Sequence, residues 1–187
     1  MKKSLLLMCA VGLFAFSAFA QGAEKYVGTW KLDTANSKLD QRMRVESMTW
    51  TVSQAGKELK IVSEVKRAEP PAGAPAGGPP MGGGRGMGRG GFGMGDGTTV
   101  YSLDGKETVS EIEGPMGKVP VTYKGSVGAD GTVLLTNSRT FSGPNGEVKL
   151  TNKETWKLSA DGKTLTVERE SSSPRGAQTS TLVFVKS

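Results

Sequence analysis

Five polar residues on three successive segments have types and spacing that could do chemistry. They are Asn137 and Arg139 in "VLLTNSRTF", Asn152 and Glu154 in "VKLTNKETWKL", and Arg169 in "TLTVERE". Each lies on the same alternating face as apolar residues. Val133, Leu135 and Phe141 share the first face, Val148, Leu150, Trp156 and Leu158 the second, and Leu165 and Val167 the third. Successive side chains of a strand point to opposite sides, so each segment places its polar residues on the face that its apolar residues bury. A buried charge needs a partner, and Glu154 with Arg169 is the natural ion pair, Arg139 being a further cation. Convergent polar groups on an apolar wall suit a small molecule with an apolar body and an anionic or hydrogen-bonding head. The competing reading is a structural ion pair near an open barrel end, with water filling the rest.

The composition excludes other chemistry. The chain has no histidine and one cysteine, Cys9. Ser-His-Asp and Cys-His nucleophile systems are therefore absent, as are zinc and copper sites built on histidine or cysteine. No D-x-D-x-D-G loop of the EF-hand kind occurs, and no spacing couples a nucleophile to a base. We expect no enzyme, no cofactor and no metal.

The elements that must position these residues are strands. Alternating runs near 26–32, 48–53, 58–65, 98–103, 107–112, 119–127, 132–141, 147–158, 163–170 and 179–186 are separated by "QAGK", "DGK", "GADG", "SGPNG" and "ADGK". Tight links join antiparallel neighbours, which predicts an all-β, up-and-down barrel of about 8–10 strands. Residues 33–44, "DTANSKLDQRMR", read as a helical turn or an irregular crossover. Folding the last hairpin so that Leu158 meets Leu165 puts Trp156 opposite Val167 and Glu154 opposite Arg169. Folding the preceding one puts Asn137 opposite Asn152 and Leu135 opposite Glu154. A slip of one residue would turn every side chain over.

One hairpin pattern occurs twice. "TWTVSQAGKELKIVSE" (49–64) aligns without gaps on "TWKLSADGKTLTVERE" (155–170). Gly56 and Gly162 occupy the position where a hairpin loop of three to five residues needs a left-handed backbone. Duplication of a binding unit and convergence on good turn chemistry both explain the match. The aromatics Trp30, Trp50, Trp156, Tyr101, Tyr123 and Phe184 read as core.

Residues 1–20 have the pattern of a secretory signal peptide. Lys2 and Lys3 precede the apolar run "LLLMCAVGLFAF", and "AFA" ends at Ala20. The rival is a lipoprotein anchored through Cys9, which the neighbouring Met8 fits poorly. Without these residues 167 remain, a one-domain length, and the formal net charge falls from +6 to +4. That is a weak basis for nucleic-acid binding. Cys9 leaves with the signal, so no disulfide forms. The expected organisation is a signal peptide at 1–20 and one barrel domain at 21–187, interrupted by a Gly/Pro-rich disordered loop at 68–97. Residues 73–97 hold 13 glycines, too little apolar material to offset the entropy of ordering. Three readings of that loop compete. Arg85, Arg89 and Phe92 could bind single-stranded nucleic acid, and Met81, Met87, Phe92 and Met94 could contact a ligand, membrane or partner. The third reading is a tolerated expansion without a role.

The segment "YVGTWKLDTANSKLD" (26–40) carries a resemblance. Its Gly28-x-Trp30 is similar to the first-strand motif of lipocalins and fatty-acid-binding proteins. There the indole would plug one barrel end, with glycine admitting a neighbouring backbone. From "GTWKL" to the late "SADGKTLTV" hairpin, the chain resembles secreted bacterial proteins with a lipocalin-like (calycin-type) barrel. The resemblance implies a barrel and an exported location, periplasmic or extracellular, and carries over no established biochemical activity. The last strand, "TSTLVFVKS", lacks the Arg-x-Tyr pair with which fatty-acid-binding proteins hold a carboxylate. Two functions of different class follow. One is a non-enzymatic barrel binding a small hydrophobic or amphipathic molecule, with Arg139, Glu154 and Arg169 as its polar anchor. The other is a structural or interaction protein of the cell envelope, its barrel filled by its own side chains.

Overall fold

The structure is a computed structural model that describes residues 22–39, 44–68, 95–114, 117–143, 146–174 and 176–187. The leader pattern at 1–20 and nearly all of the Gly/Pro-rich stretch lie outside the described residues. Ten strands follow one another: β1 (Gly28–Leu32), β2 (Val45–Ala55), β3 (Glu58–Arg67), β4 (Gly97–Ser102), β5 (Asp104–Gly114), β6 (Gly117–Val127), β7 (Val133–Gly143), β8 (Gly146–Leu158), β9 (Thr164–Ser173) and β10 (Gly176–Lys186). Each coincides with a run read from sequence to within a few residues. The exception in kind is Tyr26, expected in the first strand. Glu24–Tyr26 instead form a 3-10 turn, and β1 begins after it.

The strands form one antiparallel sheet in the order β4-β3-β2-β1-β10-β9-β8-β7-β6-β5. Every neighbour in sequence is a neighbour in the sheet except β4 and β5, and β1 pairs with β10. The result is the expected all-β, up-and-down antiparallel barrel, nearly closed. Two-residue links suffice for most turns because consecutive antiparallel strands need only a reversal. The segment after β1 stays with β10, through a bridge between Lys38 and Thr181. Among the described residues no helix is long and apolar enough to cross a membrane.

The registers that join β7, β8 and β9 are those derived from the sequence. Asn137 faces Asn152, Leu135 faces Glu154, and Arg169 faces Glu154, with Trp156 opposite Val167. The two similar hairpins differ in register despite their gapless alignment. Trp50 faces Ser63, whereas Trp156 faces Val167 rather than Arg169. The turn explains the difference. Asp161 accepts hydrogen bonds from the Ser159 hydroxyl at 2.6 Å and the Lys163 amide at 3.0 Å, which holds a wide five-residue loop. Ala55 stands at the matching position and has no such group. There the ladder runs on to an Ala55–Glu58 pair, and Gly56, at φ 58, heads a two-residue turn. The expected loop of three to five residues stands at Gly162 and is corrected to two residues at Gly56. The shift is even, so the inward faces remain inward.

The core fills one end of the barrel. Ala23, Tyr26, Trp30, Leu165, Leu182 and Phe184 are fully buried there. The Tyr26 hydroxyl lies 3.0 Å from both the Gly131 and Trp156 carbonyls, which share its single proton. The Trp30 indole donates to the Tyr26 carbonyl at 2.8 Å. Burial is the main cause that pushes the Tyr26 hydroxyl up to about 12, with Asp130 adding to it. Trp50 stacks on Phe184 of this plug and on Trp156, with centroid spacings of 4.3 and 5.2 Å, and Tyr26 meets Trp156 edge-on at 5.9 Å. Each such aromatic pair is worth about 0.5–1.5 kcal/mol beyond its burial.

Candidate functional site

Against the tryptophan stack, six strands place polar groups in one layer of the interior. Glu154 on β8 and Arg169 on β9 are 4% and 3% exposed, and their burial makes the pairing obligatory. Glu154 Oε1 accepts from Arg169 Nε at 3.0 Å and from Nη2 at 2.7 Å. Its other oxygen, Oε2, accepts from the Trp156 indole at 2.9 Å. The carboxylate is thus held at both oxygens and cannot turn. Beside it, the Asn152 amide donates to Asn137 Oδ1 at 3.4 Å, and the Asn137 amide donates to the Tyr101 hydroxyl at 3.1 Å. Tyr101 on β4 stands close enough to Glu154 that the carboxylate adds to the upward push of burial on its hydroxyl. On β2 and β3 the Trp50 indole donates to the Ser63 hydroxyl at 3.1 Å.

The structure therefore brings Asn137, Asn152, Glu154 and Arg169 into one buried layer. Arg139 lies one inward step further along β7, half-buried, between Val121 on β6 and Leu150 on β8. Desolvation pushes its guanidinium below the ordinary value, and neighbouring Tyr123 acts in the opposite direction. Gly28 and Trp30 stand apart from this group, at the filled end. Gly28, at φ 139, faces the Lys186 stem, and the Lys186 ammonium lies 5.2 Å from the Trp30 ring centroid.

Three members of the layer were not among the polar candidates. Tyr101, Trp50 and Ser63 come from the first half of the barrel, where the inward faces carry few polar residues. A signal existed in "TWTVSQAGKELKIVSE", whose alternation puts Trp50 and Ser63 on inward positions. The reading of Tyr101 and Trp50 as core is correct as far as burial goes, at 3% and 2% exposed. Both also line a cleft.

That cleft enters the barrel beside β4. Trp50, Ile61, Ser63, Thr99 and Tyr101 form its walls, Gly95–Gly97 its rim, and Glu154 its floor. Its volume is about 380 Å³ including the part open to solvent. The enclosed part admits about one water. Further along the interior, the inward residues Ile112, Val119, Leu150 and Ser171 are only half-buried. One end of the barrel is filled with aromatics, and the other is lined by apolar and hydroxyl groups that water reaches. Among the described residues no cluster of three or more acidic, cysteine or histidine residues could hold a metal.

The class defined by this architecture is an up-and-down β-barrel with a buried polar layer between a plugged and an open half. No family model matches the chain, and no curated protein matches it. A solved structure of similar shape is zebrafish ileal bile acid-binding protein complexed with cholic acid. It is 14% identical, with a TM-score of 0.46, and the match covers 87% of this chain and 99% of that one.

Proposed function

We propose that the protein is an exported, non-enzymatic barrel that takes a small hydrophobic or amphipathic molecule into its open half. One observation carries this reading. A cleft descends from the Gly95–Gly97 rim, between Trp50 and Tyr101, to the buried Glu154 carboxylate. Its aromatic walls suit an apolar body. The layer of Asn137, Asn152, Glu154 and Arg169, with Arg139 beyond it, supplies polar and charged groups suited to a polar head. Export rests on the pattern of residues 1–20, as does kinship with secreted bacterial lipocalin-like proteins on the "GTWKL" and "SADGKTLTV" motifs.

The second reading is a structural or interaction protein of the envelope. The small enclosed volume of that cleft favours it, since the part beneath the rim holds about one water. Native mass spectrometry of the purified protein, repeated after denaturation and organic extraction, separates the two. A co-purifying small molecule lost on denaturation supports the binding barrel. A clean mass, with no shift on adding a panel of fatty acids, bile acids and lysolipids, rejects it in favour of the filled barrel.

A further inference from the structure

The ladder of the barrel is interrupted between β4 and β5. These strands are the two ends of the sheet order, and no register joins them. At the β4–β5 turn they are held together. The Ser102 hydroxyl donates to Asp104 at 2.8 Å, the Lys106 amide donates to the same carboxylate oxygen at 3.0 Å, and the Leu103 amide reaches the Lys57 carbonyl at 2.8 Å. At this point β4 also lies against β6. A methyl on Gly125 would stand 2.9 Å from the Ser102 carbonyl oxygen and 3.2 Å from Tyr101 Cβ, so only glycine allows so close an approach. Tyr101 then meets Tyr123 edge-on at 5.4 Å and accepts from Asn137, which closes the seam by side chains where backbone pairing is missing.

Beyond Tyr101 the closure ends. Thr108 and Ser110 lie on the inward face of β5, opposite Tyr123 and Val121, and yet both are exposed. Their partners on β6 are 7% and 4% exposed. A strand of a closed barrel has one wet face. Here β5 is wet on both, because outward Val109 is 66% exposed as well. The inward face of β5 is therefore open to solvent beyond Tyr101, near the cleft walls Thr99 and Tyr101.

We infer that this seam is the route by which a small molecule enters the barrel, sideways between β4 and β5, with the Asp104 turn as its fixed end. The inference rests on the reading of the protein as a binding barrel, and it adds the path to the seat. The strands need no ladder broken for passage, since none joins them. A route over the open rim between β9 and β10, on the far side of the sheet, is the competing path.

Stopped-flow fluorescence with 1-anilinonaphthalene-8-sulfonate on the intact chain tests this. The wild-type protein must first bind the probe saturably. Failure there overturns the binding-barrel reading and the route with it. Given binding, Ser110→Trp narrows the seam from the exposed inward face of β5. It should slow association about ten-fold and slow dissociation in proportion, leaving the affinity within about three-fold. Ser180→Trp, inward on β10 and opposite the seam, should leave both rates unchanged. Slowing by Ser180→Trp alone, or by neither variant, overturns the side route while leaving the binding barrel intact. Near-ultraviolet circular dichroism of the tryptophan stack checks the fold. If Ser110→Trp loses that signal, Ser110→Phe and Thr108→Phe carry the same test, with the same slowing expected and unchanged rates overturning the route.

Discussion

Trp50 and Trp156, which hold the same position in the two similar hairpins, stack on each other across the barrel at 5.2 Å and 18°. Their indole N–H groups serve different partners. Trp50 donates to the neutral Ser63 hydroxyl, and Trp156 to the Glu154 carboxylate. The positions that match Glu154 and Arg169 in the first hairpin are Met48 and Ser63. One pattern thus supplies two halves of a stack, and only the second copy supplies the ion pair.

This asymmetry predicts unequal losses on the same substitution. Trp156→Phe removes a hydrogen bond to a charged group, and Trp50→Phe one between neutral groups. The expected costs of the lost bonds are about 1.5–3 kcal/mol and about 0.5–1.5 kcal/mol, with ring packing reduced in both. Urea unfolding of the two variants measures the order. Equal or reversed losses would show that the Glu154 bond is not the stronger.

The buried ion pair should behave as a unit. Arg169→Met leaves the Glu154 carboxylate with the Trp156 indole alone and is expected to cost about 3–5 kcal/mol. Glu154→Gln on that background removes the orphaned charge and should recover a large part of the loss. A double-mutant cycle by chemical denaturation reads the coupling, and additive losses would contradict it.

Alkaline pH should weaken the fold before it ionises the folded tyrosines. Burial raises the hydroxyls of Tyr26, Tyr101 and Tyr123, the three tyrosines of the chain. A raised folded value means that the folded state keeps its proton where the unfolded chain loses it. The contribution is complete below the unfolded value of about 10 and is lost as pH rises through it. For Tyr26 that loss runs from there to about 12. Tyrosinate absorbance followed together with circular dichroism should show ionisation above pH 10 arriving with unfolding. Normal titration at about pH 10 in an intact fold would contradict this burial.

Two glycines should respond to alanine for different reasons. At Gly125 a methyl meets the Ser102 backbone oxygen at 2.9 Å, and displacement of β4 should cost about 1–3 kcal/mol. At Gly56 nothing lies within 4 Å, and only the left-handed backbone, φ 58, resists, at about 1–2 kcal/mol. Thermal melts rank the two. The Gly125 variant should also perturb near-ultraviolet dichroism through Tyr101, and the Gly56 variant should not.

The sequence by itself determined the ten strands and the facing of β7, β8 and β9. Side chains alternate with a period of two, and short turns leave consecutive strands no choice of partner, so Glu154 opposite Arg169 could be read from "TNKETWKLSADGKTLTVERE". It could not determine the register of the first hairpin, because that depended on whether a side chain at position 55 could hold a wide turn, as Asp161 does. Nor could it bring Tyr101 to Asn137, or Trp50 onto Trp156. Those residues belong to strands that share no ladder, and they meet only because the sheet curls until its far sides touch. The same curvature decides that β4 and β5 end side by side without pairing. Local alternation built the strands and half of the polar layer. Closure of the barrel supplied the other half and left the seam.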